Sequence, residues 1–245
     1  MQGQYKEANT CTVLVTGFGA FQDKYPINPS HLITTTLPAV LPRNPRFATS
    51  VRIIVHPYPI RVAYDEVRAL VPHLQDAYQV DIVLHMGMAT TRAYYAIEKQ
   101  AHRDGYHENK DVDGHVLPPD DGERIWPDCP PVLTTSLDFD DVFQRWRSNL
   151  SETAEAAPDL SDVDIQPSED AGHFLCDFIY YSSLAENRRR KRHLSEDDLD
   201  QRPVLFLHVP ANATAVQGKV VTEGLLRALA ESWIIQKRRS CQDGI

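Results

Sequence analysis

The chain has 245 residues, of which 42% are hydrophobic and 24% are charged, and its formal net charge is −9. This length is sufficient for one large domain or two small ones, and the composition is that of a soluble globular protein. Because the charge is negative, a broad phosphate-binding surface is not expected, which argues against nucleic acid as a partner and favours a small neutral or cationic ligand.

The N-terminal stretch MQGQYKEANTC is polar and lacks the apolar segment of a secretory signal peptide. No apolar run reaches the length of a membrane-spanning helix. We therefore expect a cytoplasmic protein whose cysteines are reduced thiols. The cysteines have no CxxC spacing, which argues against structural zinc or a redox pair. They are Cys11, Cys129, Cys176 and Cys241.

Short β-branched runs alternate along the chain with segments of helical periodicity. Strands are predicted at 12–18, 50–59, 81–88, 93–101, 162–168 and 202–210. Helices are predicted at 61–78, 138–150, 169–186 and 214–237, and Pro72 is expected to kink or interrupt the first of them. Residues 104–135 are rich in Asp, Gly and Pro and are expected to be irregular. The alternation favours a mostly parallel sheet with helices on both faces and a ligand site beyond the carboxyl ends of its strands.

The segment GFGAF at 17–21 follows the first predicted strand but does not complete a dinucleotide-binding fingerprint. Gln22 replaces the third glycine, and no acidic residue follows at the required distance. Phe18 and Phe21 allow two interpretations. They either fill the core, or they form the walls of a flat apolar pocket at the end of the strand.

Two charged segments have simpler interpretations than the motifs they resemble. Residues 109–120 fit a calcium-binding loop loosely, but two prolines prevent the helix that should follow, so an exposed acidic turn is favoured. No zinc-ligand spacing such as HExxH occurs, and we expect no metal. The run 187–202 is basic and then acidic, which favours a solvated loop; recognition by a partner is the alternative.

Three of the ten histidines lie in apolar strands and are candidates for acid–base chemistry. His208 precedes the proline that ends its strand, which places it on the edge of the sheet where a ligand would bind. His56 and His85 are better explained as core residues whose hydrogen bonds are satisfied. Glu98 follows a mostly apolar run and would need a partner, because an unpaired buried carboxylate is costly.

Cys176 lies in the segment SEDAGHFLCDFIYYSSL, where it is either a small buried hydrophobe or a nucleophile. Ser168 or Asp170 is expected to cap a helix that begins near Ala171 or Gly172. Cys176 would then lie in the second turn, where the helix dipole lowers the pKa of a thiol. With a histidine base and an orienting carboxylate, it would form a nucleophilic triad.

Four segments together resemble the pyroglutamyl peptidase I family, the pyrrolidone-carboxylate peptidases, which are cysteine peptidases. They are VLVTGFGAF with INPS, AIEKQAHRDGY, EDAGHFLCDFIYYSSL and VLFLHVP. The similar segments occur in the family's order from Val13 to about Leu229, and the CDFxYY motif resembles the eukaryotic branch. It implies a single domain over 1–245, folded as a three-layer α/β/α sandwich with a mostly parallel mixed sheet, of the phosphorylase/hydrolase-like type and without a cofactor.

The resemblance also implies an activity: hydrolysis of N-terminal pyroglutamyl residues from peptides through a thioester intermediate. Its catalytic triad would be Glu98, Cys176 and His208. Peptides with N-terminal pyroglutamate would be the partners, and no membrane is implied.

The lactam ring of the substrate would lie among aromatic side chains. The residues that match are Phe18, Phe21 and Phe174, with Asn28 helping to hold the loop.

The chain departs from the family pattern in several places. Ala20 and Gln22 replace a proline and a glycine in the opening loop, and Met88 replaces a glutamine of the bacterial pattern. The bacterial arginine beyond the catalytic glutamate has no clear match, and Arg103 is left unassigned. Segments 137–161 and 187–202 are predicted to be surface insertions. A catalytically impaired relative that binds peptide ends, or a hydrolase of another small lactam, therefore remains an alternative.

Overall fold

The computed structural model describes residues 9–21, 24–156, 162–191 and 203–243. Nine strands and six helices are present in these ranges. The strands are β1 (Thr10–Gly17), β2 (Val40–Leu41), β3 (Ser50–Val55), β4 (Ile82–Ala89), β5 (Tyr95–Glu98), β6 (Gln100–His102), β7 (Val132–Thr134), β8 (Ile165–Ser168) and β9 (Val204–Pro210). The helices are α1 (Pro29–Thr34), α2 (Tyr64–Ala77), α3 (Asp121–Ile125), α4 (Phe139–Ala156), α5 (Leu175–Lys191) and α6 (Ala215–Asp243).

A seven-stranded sheet of order β2-β3-β1-β4-β9-β5-β8 forms the centre of the molecule. The pairs β1–β3, β1–β4, β4–β9 and β5–β8 are parallel, whereas β2–β3 and β5–β9 are antiparallel. Strands β1, β4 and β9 lie in the middle and are buried along nearly their whole length, as expected for strands covered on both faces. The expected α/β fold with a mostly parallel mixed sheet is confirmed.

Each face of the sheet has its own hydrophobic core, and different helices supply it. On the first face, α1, α4 and α6 contribute Ile33, Trp146 and Leu229, all fully buried. On the second face, α2 and α5 contribute Val67 and Phe178, also fully buried. We refer to these as the first core and the second core.

The predicted strand 93–101 is two strands that belong to different sheets. The chain leaves the main sheet at Lys99, whose N–H donates to the carbonyl of Ser168 while its own carbonyl accepts from Thr135. Strand β6 then pairs with β7 in a separate two-stranded ribbon. The segment 104–135, expected to be irregular throughout, therefore contains α3 and β7.

Two further expectations concern helices. Helix α2 continues through Pro72 without interruption. Within the segment 137–161, residues Phe139–Ala156 form helix α4, which packs against α6 through Trp146, and 157–161 lie outside the described residues. That the segment is an insertion stays a prediction. Of the charged run, residues 187–191 end helix α5, and 192–202 lie outside the described residues.

Across the described ranges, no helix combines the length and the apolar character that crossing a membrane would require. Within the same ranges, Cys11, Cys129 and Cys176 are not joined in disulfide bonds.

Candidate active site

Glu98 and His208 lie on neighbouring antiparallel strands, β5 and β9, and form a buried pair. The Nδ1 atom of His208 is 2.7 Å from Oε1 of Glu98, and the glutamate side chain is fully buried. Because a carboxylate accepts hydrogen bonds, Nδ1 carries the proton, and Nε2 is the nitrogen with a free lone pair. This is the orientation in which a histidine serves as a base for a neighbouring thiol.

Arg92 is the second partner of Glu98, and the sequence analysis did not identify it. Its Nη1 atom is 2.6 Å from the same oxygen, Oε1, and its Nη2 atom donates to the carbonyl of Asp170. A cation beside a fully buried carboxylate compensates the loss of solvation. Arg92 precedes Glu98 by six positions, whereas the arginine of the bacterial pattern follows the glutamate along the chain.

Cys176 lies over strand β4 at Gly87. A methyl group added at Gly87 would come within 2.6 Å of the Cys176 Sγ atom and 2.8 Å of the Phe206 ring. Gly87 is also the residue of β4 that pairs with His208 on β9. The sulfur thus rests on backbone directly beside the histidine strand, in a space that only glycine leaves open.

Helix α5 begins at Leu175, which corrects the start expected at Ala171 or Gly172. Gly172 has a φ of 90° and His173 a φ of 43°, and neither value is helical. Asp170 accepts the Gly172 N–H through Oδ1 at 2.8 Å, so it closes the turn before the helix and does not cap the helix. Cys176 is consequently the second helical residue, in the first turn.

The surroundings of Cys176 raise the pKa of its thiol, against the expected lowering. Burial among protein atoms is the main cause, and the carboxylates of Glu98 and Asp177 add to it, while Arg92 acts in the opposite direction. The resting thiol therefore keeps its proton, and a base must remove it before the sulfur can attack.

Three of the predicted pocket residues belong to the same apolar cluster as Cys176. Phe18 is buried, and one of its ring carbons is 3.4 Å from the position of a methyl group at Gly87. The rings of Phe21 and Phe174 are 6.3 Å apart, and Phe174 directly precedes helix α5. Tyr64, which the sequence analysis did not identify, packs edge-on against Phe174 at 6.1 Å. These rings form an aromatic wall beside Cys176.

Asn28 has a different place: it fixes the loop that presents Phe18. Its side-chain amide donates to the carbonyl of Gly19 at 3.0 Å, and its Oδ1 accepts from Ser30 at the start of α1. Ser30 in turn accepts the Phe18 N–H at 3.1 Å. The contacts of Asn28 support its expected role in holding the loop. Ala20 is exposed, and Gln22 lies outside the described residues.

Two residues of α5 that the sequence analysis did not consider connect the helix to neighbouring strands. The carboxylate of Asp177 is fully buried and accepts both the backbone N–H of His102 at 2.9 Å and its Nδ1–H at 3.1 Å. The hydroxyl of Tyr180 donates to the carbonyl of Glu98 at 2.9 Å. The sequence offers one indication of a role for Asp177, which is its place directly after the candidate nucleophile Cys176.

The other candidate residues have structural roles. His85 is buried and is bonded on both ring nitrogens, to Thr16 at 2.7 Å and Ser183 at 2.8 Å, as expected of a satisfied core histidine. The calcium-like loop is mostly exposed, as expected, but Asp111 within it is buried. Its carboxylate accepts N–H groups of the loop and of Tyr64, so it organises the loop internally.

Residues 11–223 match the family model of the pyroglutamyl peptidases. The chain is 29% identical to pyroglutamyl-peptidase 1 of Mus musculus over 198 residues, which cover 81% of this chain and 78% of the mouse protein. It is 28% identical to the Homo sapiens protein of the same name over the same shares of both chains.

Solved structures of similar fold include two bacterial proteins. The pyrrolidone carboxyl peptidase of Thermus thermophilus is 25% identical, with a TM-score of 0.62 over 90% of this chain and 99% of that one. The pyroglutamyl peptidase I of Bacillus amyloliquefaciens is 21% identical, with a TM-score of 0.66 over 91% and 97% of the two chains. The family model spans most of the chain, and the structural similarity extends over nearly all of it. The chain therefore belongs to the pyroglutamyl peptidase family.

Proposed function

We propose that this protein is a cysteine omega-peptidase that removes pyroglutamate from the N-terminus of peptides. Membership of the family supports this proposal, because the mouse and human relatives are named pyroglutamyl-peptidase 1. The observation that carries it is the buried Glu98–His208 pair. The strand of His208 lies beside Gly87, and the Cys176 sulfur rests on Gly87.

The reaction begins with the transfer of the Cys176 proton to Nε2 of His208. The sulfur then attacks the carbonyl carbon that joins pyroglutamate to the next residue, forming a C–S bond. His208 returns its proton to the leaving amine as the C–N bond breaks, and Glu98 stabilises the imidazolium between these steps. Water, activated by His208, hydrolyses the thioester and releases free pyroglutamate and the thiol.

The aromatic wall gives a reason for the choice of substrate. A pyroglutamyl residue is a flat, uncharged lactam, and Phe18, Phe21 and Phe174 offer apolar ring surfaces next to the nucleophile. An ordinary N-terminal residue carries an ammonium group, which this wall would have to desolvate without a compensating charge. The wall therefore favours pyroglutamyl peptides over unblocked ones.

We further propose that the protein acts in the cytoplasm. The proposed mechanism requires Cys176 as a reduced thiol, which a reducing compartment maintains.

The test is release of a fluorogenic amine from a pyroglutamyl amide by wild-type protein, Cys176→Ala and Cys129→Ala. Cys129 is the matched control, since it is also a partly buried cysteine. We expect turnover in the wild type and Cys129→Ala, and a loss of at least about 1,000-fold in Cys176→Ala. The corresponding prolyl amide, which has the same ring without the lactam carbonyl, tests the selectivity.

Two results would contradict the proposal. Turnover that survives in Cys176→Ala would exclude the cysteine mechanism. A folded wild-type protein without turnover would favour the alternative of an impaired relative that binds peptide ends.

A further inference from the structure

Two histidines and an aspartate lie together beside the start of helix α5, outside the proposed triad. One ligand atom each from His102, Asp170 and His173 lies within 4.8 Å of the other two. The two imidazole rings have centroids 4.7 Å apart. His102 is half-buried, whereas Asp170 and His173 are exposed, so the cluster is open to solvent on one side.

The surrounding groups orient both imidazoles in the same way. The Nδ1 atom of His102 donates to the buried carboxylate of Asp177, and Nδ1 of His173 donates to the carbonyl of Asp104 at 3.1 Å. In each ring the lone pair is therefore on Nε2. Metal-binding histidines typically have this arrangement, in which a carboxylate or carbonyl holds the nitrogen that does not bind the metal.

The backbone around His173 is shaped to hold its ring in this place. His173 has a φ of 43°, in the left-handed region that residues with a β-carbon seldom occupy. Its ring lies against Gly105, where an added methyl group would come within 2.7 Å of Nδ1. Strained conformations of this kind persist where the surrounding structure fixes them, and they are concentrated at functional sites.

We propose that His102, His173 and Asp170 form a binding site for one divalent transition-metal ion, with zinc as the favoured ion. Two imidazoles and one carboxylate are a ligand set that zinc accepts, with water in the fourth position. Tetrahedral zinc needs its ligand atoms about 3.4 Å apart. The ligand atoms already lie within 4.8 Å of one another, so a small closure of the cluster around the ion gives that spacing.

The sequence did not reveal this site because its ligands come from two segments. His102 ends strand β6, and Asp170 and His173 belong to the turn before α5. The expectation that the chain binds no metal rested on local spacings, which such a site does not produce. A bound ion would link β6 to that turn, close to the residue range that carries Cys176.

The test is calorimetric titration of Zn²⁺ into the Cys176→Ala chain, which removes the nearby thiol as a competing ligand. We expect one ion per chain and a zinc-dependent rise in Tm. His173→Gln should weaken binding by at least about 10-fold, since loss of a ligand costs no less than loss of its supporting partner. His107→Gln, an exposed histidine near His102 along the chain, is the matched control and should bind as the parent does.

His102→Gln leaves Asp177 without its partner and is informative only if the chain stays folded, so His173→Gln carries the test. Undiminished binding in His173→Gln, or no binding to the parent, would overturn the proposal. Both readouts are independent of peptidase activity. The site and the proposed function therefore stand or fall separately.

Discussion

At the scale of single residues, the Oε1 oxygen of Glu98 accepts two hydrogen bonds from residues of the candidate site. It accepts from both Arg92 and His208, at 2.6 and 2.7 Å. The second oxygen, Oε2, is buried and has no hydrogen-bond partner in the described structure. The geometry thus concentrates the negative charge where it faces the histidine, and Arg92 determines how strongly that charge acts on the rest of the site.

Replacement of Arg92 by glutamine should slow the reaction and change its pH dependence. Burial and Glu98 raise the pKa of the Cys176 thiol, and the Arg92 cation opposes them. Without the cation, the thiol pKa should rise further, so alkylation of Cys176 should require higher pH. We expect kcat/KM for the pyroglutamyl amide to fall about 10- to 100-fold, because the Glu98–His208 pair also loses its anchor.

The matched control for Arg92→Gln is Lys99→Gln, which removes an exposed ion pair with Glu169 next to the same strand. Exposed pairs of this kind contribute little, and the control should retain its activity. An alkylation profile of Arg92→Gln that coincides with that of the wild type would contradict the role assigned to Arg92.

The proposed nucleophile, base and orienting acid could be predicted from the sequence because each lies in a segment that resembles a motif of the family. Arg92 could not be found in this way. Its contact with Glu98 depends on how the chain turns between β4 and β5, and that path is decided by tertiary packing. His102 and Asp177 were missed for the same reason, since their bond joins a ribbon strand to a helix.

At the scale of elements, helix α5 joins the parts of the second core. Within its first three turns, Asp177 contacts β6, Tyr180 contacts β5, and Ser183 contacts β4 through His85. The last of these bonds continues to Thr16 on β1. The position of Cys176 is therefore fixed by hydrogen bonds from its helix to three different strands, as well as by packing.

His85, the buried histidine in this network, should make the free energy of unfolding depend on pH in the acid range. Burial lowers the pKa of His85 to about 3 from an ordinary value of 6.5. Above pH 6.5 the imidazole is neutral in both states. Below it the unfolded chain binds a proton that the folded chain excludes, so the free energy of unfolding should fall by about 1.4 kcal/mol per pH unit down to about pH 3.

Urea unfolding at several pH values between 7 and 4 checks this contribution of His85. His85→Gln should be less stable than the wild type near neutral pH, because Thr16 and Ser183 lose a partner, but its stability should fall less steeply with acid. His107→Gln controls for removal of a histidine from an exposed position. Equal slopes for wild type and His85→Gln would show that His85 is not the titrating group.

Most strands could be predicted from short β-branched apolar runs, and most helices from apolar residues spaced three to four positions apart. The start of α5 could not, because the sequence SEDAG offers good capping residues for a helix. These residues instead close a turn through the left-handed Gly172. The division of 93–101 into β5 and β6 was likewise hidden, since the whole segment has strand character and the break at Lys99 is made by partners far along the chain.

At the scale of the whole molecule, the first core and the second core on the two faces of the sheet have different roles. The second core contains Phe18, Leu175 and Phe206, which lie near Cys176, the proposed nucleophile. The first core lies on the opposite face of the sheet, where Trp146 is fully buried and donates its indole N–H to the carbonyl of Val221 at 2.9 Å. The first core should therefore govern stability without shaping the site.

Trp146→Ala tests this division. It should lower the free energy of unfolding by about 3–5 kcal/mol, as expected when a large aromatic side chain is removed from a packed core. At a temperature where the variant is folded, its kcat/KM should match that of the wild type. Urea unfolding and the pyroglutamyl-amide assay measure the two quantities.

Trp146→Phe keeps most of the volume and should be destabilised far less than the alanine variant. Tyr58→Ala, which removes a side chain that is 71% exposed, controls for loss of an aromatic residue. A fall in kcat/KM of folded Trp146→Ala would show that the two cores are coupled through the sheet.

The contact between the Cys176 sulfur and Gly87 has a consequence for the lifetime of the protein under oxidising conditions. Peroxides react with thiolates and need open access to the sulfur. In the resting protein the sulfur keeps its proton and is covered by backbone on one side. Oxidative damage should therefore accumulate mainly during turnover, when the thiolate forms, and stored protein should keep its thiol intact.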